Sequence, residues 1–396
     1  MNRDSTSSSK CSLLPRARHN SAGSDAAAAL RILSVSLSAL LVSGCYTLTQ
    51  GIEQAKLISR RKPVAEVLRD SDDKPDRLAK LRLVPEVLQF AQARIGLTPG
   101  SSYQTYISLD RPALSYVVQA AEKRRLKLKT WWFPVVGAQP YLGFFDRQKA
   151  VDFQKKLVEE GYDTSMGGVQ AFSLLGYFPD PIYSSMLDGN DELAFVELLF
   201  HETVHRTVYL PDAYTFNENL AEFVARHATL LFMRERGELL TANTAGVAAN
   251  AAQTAEAYEL KHARMQTART AFGEFLNIAR RELGEFYDKP EVQRLDLPAF
   301  LSARDEKVAA LNERFQKEYG ERIKETHYAR FFQPARFNNA TLLGASIYEA
   351  RQEPFAQLLE RCSADLAKFM QAIKKCVGDV RGSEQDVWPA VEKCGG

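Results

Sequence analysis

The sequence predicts an α+β chain, mainly helical, with one small sheet packed on a single helix near its middle. Three observations carry this. Glu192 to Tyr209 contains neither Pro nor Gly, and it sets Leu193, Val196, Leu199, Phe200 and Val204 at helical spacing on a broad apolar face. Residues 126–145 hold the clearest β pattern, with Leu126, Leu128, Thr130 and Trp132 alternating against Lys127, Lys129 and Trp131. From Leu230 to Tyr287 there is no Pro, and Ala, Glu, Arg and Leu dominate, so a long helical segment is expected over about 240–330. The 396 residues, 45% hydrophobic and 25% charged, have an ordinary globular composition. A net charge of +2 and the lack of any Gly-rich phosphate loop or dinucleotide fingerprint argue against nucleic acid as a partner.

Taken in order, the chain opens with a polar, Ser-rich stretch. Arg31 then precedes an apolar run, Ile32 to Val42, that is too short to span a bilayer and suits the core of a signal peptide. It ends in Leu41-Val42-Ser43-Gly44-Cys45, which resembles a bacterial lipobox. Residues 1–45 are therefore read as a signal peptide with Cys45 lipidated, and 46–396 as the mature domain. The alternative is an ordinary signal peptide with a chance Cys. Acyl chains on Cys45 would hold the protein to a membrane without a spanning helix, at about 0.8 kcal/mol per buried methylene. Tyr46 rather than Asp after the Cys favours the outer membrane, facing the periplasm. Cys11 would leave with the signal. Of Cys362, Cys376 and Cys394, one disulfide and one free thiol is the simplest arithmetic, with the pair left open.

Residues 51–95 read as amphipathic helices, the second interrupted at Pro85. Residues 101–106 lead into a strand, and 113–123 fit either a strand or a helix. Leu126 to Val136 and Tyr141 to Phe145, joined by a Gly/Pro turn, suggest a hairpin. Asp146 to Gly161 is a helix with a Gly stop. Gly167 to Gly176 is a strand, either the edge beside the central helix, where an extended peptide could add, or a core strand. Residues 303–327 form a charged helix with a solvated face. Residues 337–359 are helical, with a bend near Pro354.

The central helix carries His201-Glu202-Thr203-Val204-His205. Positions i and i+4 share one helix face, so both imidazoles can reach one ion, and Glu202 sits where a carboxylate can face a water on that ion. This is the donor pattern of a zinc hydrolase, with one Zn²⁺ per chain and Glu202 as general base. Pro211 and Asp212 stop the helix, and a second begins near Thr215. A short connection makes an antiparallel pair and places Glu218 beside His205 as third ligand, with Glu222 a turn further on to hydrogen-bond an imidazole. Two alternatives stay open: Thr215-x-x-Glu218 also fits a capping box, and Glu222 could ligate in place of Glu218. His227 and His262 read as surface or internally satisfied residues. Tyr348 could offer a phenol to a tetrahedral oxyanion, or simply pack in the core.

Several stretches together resemble the bacterial "putative aminopeptidase" family of zinc-binding lipoproteins. They are Gly44-Cys45-Tyr46, Arg60-Arg61-Lys62-Pro63, Trp131-x-Phe133-Pro134-Val135-Val136-Gly137, Pro140-Tyr141-Leu142-Gly143-Phe144-Phe145, Gly168 to Pro181, Phe200-His201-Glu202-x-x-His205, Phe216-Asn217-Glu218 and Phe337-Asn338-Asn339-Ala340. The resemblance implies a zincin-like metallopeptidase of the gluzincin type, with His201, His205 and Glu218 as ligands, Glu202 as base, and peptide or protein as substrate. The Gly-x-Met-Glu-Asn box that reads a free amino end in the aminopeptidase-N-like enzymes is missing. The alternatives are therefore an envelope endopeptidase, or a non-catalytic lipoprotein clipped by metal that binds or chaperones partners.

Overall fold

The computed structural model describes residues 53–394, except 71–72, 134–136, 172–178, 244–247, 325, 350, 379 and 381–383, and leaves aside the side chains of 70, 238–255, 258, 348 and 349. The expectations for the signal peptide and for Cys45 lie outside the described residues. Leu57 onward forms one compact unit. It is mainly helical, 66% helix, with small sheets, as an α+β chain should be. Among the described residues no helix is long and apolar enough to cross a membrane.

Among the described residues there are three small sheets where one was expected. Strands β1 (Lys62–Pro63), β2 (Thr105–Ile107) and β8 (Ile182–Tyr183) form the first. Strands β3 (Ser115–Ala121), β6 (Tyr141–Phe144) and β7 (Asp163–Val169) form the second, in the order β6-β3-β7. Strands β4 (Trp131–Phe133) and β5 (Gly137–Gln139) form a separate ribbon. The stretch 113–123 is thus a strand. The expected hairpin is split: β4 turns back on β5, while Tyr141–Phe144 pairs with β3 through Gln119↔Tyr141 to Tyr116↔Phe144. Pro140 explains the change of partner, since it has no N–H to extend the ribbon's ladder. Leu128 makes only a single bridge, to Ala121.

The expected edge strand is shifted toward the N-terminus. β7 is an edge strand of its sheet, but only Gly167, Gly168 and Val169 of the expected stretch belong to it, and 172–176 lie outside the described residues. The sheet also does not pack on the motif helix. It lies against helix α2 (Arg147–Glu159) and helix α7 (Asn339–Glu349), with Ala121 packed on Ala340 and Leu343, and with the Phe144 and Phe153 rings 5.2 Å apart. Small residues on β3 favour this: Val118, Ala120 and Ala121 are fully buried and let helices approach closely.

The motif helix, α3 (Glu192–Thr207), is instead surrounded by helices. Its Phe200 sits between Phe90, at the end of α1 (Pro75–Phe90), and Phe232 of α4 (Tyr214–Asn243), at ring separations of 6.1 and 6.2 Å. Pro85 does not interrupt α1, which continues past it into a wider turn ending at Gly96, φ +73°. The long segment resolves into α5 (Ala248–Asp288) and α6 (Leu297–Ile323). They close a second core of Phe272, Phe275, Phe315 and Phe332, each worth about 1.5–3 kcal/mol when fully buried. Helices α8 (Glu353–Arg361), α9 (Leu366–Val377) and α10 (Glu384–Glu392) complete the chain. Cys376 and Cys394 form the disulfide, and Cys362 is the free thiol.

Candidate metal centre

Two helices and the turn between them build the site. α3 starts at Asp191, whose carboxylate accepts from the Ala194 amide at 2.9 Å. It ends at Val208, in extended backbone. Asn217 then clamps the turn: its side chain donates to the Leu210 carbonyl at 2.8 Å and accepts from the Leu210 amide at 2.9 Å. The start of α4 is capped from a distance. The Glu384 carboxylate accepts from the Thr215 and Phe216 amides at 3.1 and 2.7 Å. Glu218 is therefore not the cap of its own helix and faces the histidines instead.

His201 and His205 approach with their Nε2 atoms 3.1 Å apart. Glu218 lies across them, with Oε2 3.5 Å from His201 Nε2 and Oε1 3.5 Å from His205 Nε2. The donor atoms of these three residues all lie within 4.8 Å of one another. Glu222 stands behind, Oε1 3.5 Å from His201 Nδ1, and its other oxygen accepts from Arg226 at 2.9 Å. Two imidazole nitrogens and a carboxylate, preformed and nearly buried, suit a zinc ion.

The electrostatics mark the cluster as a site that wants a cation. Burial alone would lower the His201 pKa, but the Glu218, Glu222 and Glu202 carboxylates raise it to about 9. Burial would raise Glu218, yet His205 and His201 bring it down to about 2. Burial also opposes the charge on Glu222, and Arg226 and His201 outweigh it and hold its pKa low. Glu202 behaves differently. It is 6% exposed, burial lifts its pKa, and its Oε2 is shut from solvent without a hydrogen-bond partner. His205 Nδ1 is also buried without a partner.

Sequence reasoning missed further residues that lie close to the cluster. Tyr209, just past α3, has its ring 6.5 Å from that of His205, and its hydroxyl accepts from Gln139 at 3.3 Å. Burial, with Glu218 adding to it, pushes this phenol up to about 12. Tyr141 packs edge-on to Tyr214 at 5.5 Å, and burial and the Glu218 charge push it up as well. No local pattern points to Tyr141 or Gln139, which lie about 60 residues before His201. Tyr348 falls in α7, with its side chain outside the described residues. His227 and His262 are satisfied locally, against the Phe223 carbonyl at 2.8 Å and the Arg226 carbonyl at 3.0 Å.

Fold and site together define a mainly helical protein with a His–His–carboxylate donor set on a helix hairpin and a second carboxylate alongside. The chain belongs to the family described as "Putative aminopeptidase", whose model matches residues 45–386. No curated protein and no solved structure matches it.

Proposed function

We propose that this chain is a zinc-dependent peptidase of zincin-like fold. The family's description supports an aminopeptidase acting on peptide or protein substrates, and our reading puts that action in the bacterial cell envelope. The observation that carries the reading is the convergence of His201, His205 and Glu218 within 4.8 Å, with Glu202 beside them. Among the described residues the cluster has three donors, the number a catalytic zinc takes while keeping a position open; a structural clip takes four. A zinc ion held there would polarise the scissile carbonyl and acidify a water molecule.

The protein's own groups do the rest. Glu202, with its pKa raised by burial, takes the water's proton and passes it to the leaving amine. Glu222 Oε1, 3.5 Å from His201 Nδ1, is placed to favour the tautomer with its proton on Nδ1, which leaves Nε2 free to ligate. The Tyr209 and Tyr141 hydroxyls, kept protonated by burial, are donors for a developing oxyanion beside the cluster. Lipidation of Cys45 would hold the domain on the outer membrane, facing the periplasm, and the family match begins at that residue.

Elemental analysis of protein lacking residues 1–45, beside its His201→Ala variant, tests the reading. About one zinc per chain, lost in the variant, is expected. Wild-type protein that takes up no zinc on reconstitution would overturn it. Peptides with free and blocked amino ends then separate aminopeptidase from endopeptidase action.

A further inference from the structure

Behind the motif helix lies a group of buried polar atoms that the ligand set does not use. Four of them have no hydrogen-bond partner: Glu202 Oε2, Tyr103 OH, and Nε and Nη1 of Arg206. Buried polar atoms are satisfied in the great majority of cases, so several orphans gathered around one helical turn call for a function. Glu202 and Arg206 are four residues apart and share a face of α3.

The loop over that face is built with care. The Thr98 amide donates to Thr207 Oγ1 at 2.8 Å, pinning the loop to the end of α3. Gly100 lies directly on the Arg206 guanidinium; a Cβ there would come within 2.5 Å of Nη2. The Ser102 hydroxyl accepts from the Asp180 amide at 2.8 Å, and the Tyr103 amide donates to the Asp180 carbonyl at 2.6 Å. These bonds hold Tyr103 at φ +65°, a left-handed backbone that is unfavourable for a tyrosine. The strain aims a ring that is 2% exposed into the motif helix. Burial and then the Glu202 and Asp180 charges push the phenol well above its ordinary value, with Arg206 and the nearby Thr203 hydroxyl pulling the other way, so Tyr103 shares one electrostatic environment with Glu202 and Arg206 of the motif helix.

We propose that Tyr103, backed by Arg206, is the positioning residue of Glu202. Its hydroxyl donates to the inner oxygen Oε2 and leaves Oε1 to meet the water at the His201–His205–Glu218 cluster. Such bonds are commonly long in the unliganded state and shorten when the site is engaged. The proposal rests on Glu202 being the general base. It assigns the strain at Tyr103 a purpose: a base held by one oxygen keeps its orientation through both proton transfers.

The test is Tyr103→Phe, which keeps the ring and the backbone and removes only the hydroxyl. In the zinc-loaded enzyme kcat should fall about tenfold, about 1.4 kcal/mol, with KM and zinc content unchanged. A Phe that merely repacked the loop would disturb zinc retention or KM as well. A second measurement is independent of peptidase activity. In metal-free protein, denaturant midpoints of Tyr103→Phe, Glu202→Gln and the double variant form a cycle, and non-additive midpoints are expected. Additive midpoints, or an unchanged kcat in enzyme with measurable turnover, would overturn the proposal. Absence of turnover in every form, with non-additive midpoints, would fault the peptidase reading and leave the pairing standing.

Discussion

Removing metal should make this protein's stability fall as pH rises from 6.5 to 9, because the three donors then hold a proton where the ion would sit. The worked case is His201. Its pKa is 6.5 in the unfolded chain and about 9 in the fold, raised by Glu218, Glu222 and Glu202 against the effect of burial. A folded value above the unfolded one means stability that is fully present below pH 6.5 and lost as pH passes through 9. At about 1.4 kcal/mol per pH unit, that is about 3 kcal/mol. The side chain is 13% exposed, so solvent screening removes little of it. On a chain of this size the melting temperature should drop on the order of 4 °C.

The histidines outside the cluster do not mask the effect. Burial lowers the pKa of His227, His262 and His327, so their contributions are lost only below pH 6.5. The assay is calorimetric melting in a chelator across pH 6–9.5, with His201→Gln as control; the slope should vanish in the control. The same proton must leave when zinc binds, so at pH 7.5 titrations in buffers of different ionisation enthalpy should report its release. A melting temperature that is level or rising between pH 6.5 and 9 in metal-free wild-type protein would refute the reasoning.

The third ligand can be told from its supporter: Glu218→Ala should lose zinc outright, whereas Glu222→Gln should keep it with affinity weakened roughly 10–100-fold, both read by chelator competition. Full zinc occupancy in Glu218→Ala would move ligation to Glu222. Glu202→Gln should retain zinc and cut turnover by about 10²–10⁴-fold, measured on any peptide the wild type cleaves. Glu384→Ala removes the remote cap of α4 and should cost about 1 kcal/mol in denaturant unfolding, with faster amide exchange at Thr215 and Phe216. Replacing Cys376 and Cys394 by Ser opens a closure of 18 residues and should cost about 3 kcal/mol, read as a lower denaturant midpoint.

The candidate donor set was legible in the sequence because its geometry is local. Two His at helical spacing and a Glu one short turn later need only one hairpin, and a turn of this kind leaves few ways to close. The single disulfide with one free thiol was legible from counting. The sheets were not. Alternation in Leu126–Trp132 describes a pleated stretch but does not name its partner, and Pro140 decides that Tyr141–Phe144 goes to β3 instead. The small residues of β3 likewise decided that its sheet meets α2 and α7 and leaves the motif helix to other helices. Gln139 and Tyr141 were invisible for the same reason: they reach the site through strand pairing, which short-range patterns do not encode.

The elements that hold the site come from distant parts of the chain, and this bears on how rigid it is. The connection between α3 and α4 is short, and the helix ends on either side of it would fray if left alone. Glu384 from the C-terminal helix caps α4 two residues before Glu218, and the Trp388 indole donates to that same carboxylate at 3.0 Å. Asn219, the residue after Glu218, donates to the Ile347 carbonyl and accepts from the Gln352 amide nitrogen at 2.9 Å. Glu218 is thus gripped on both sides by the last fifty residues, and the Cys376–Cys394 bond closes that segment on itself. A carboxylate held this way has little freedom to turn aside, so Glu218 stays facing His201 and His205. Glu218 and Glu222, gathered on His201, favour its protonated form, and the loss of that proton is what the melting experiment would follow.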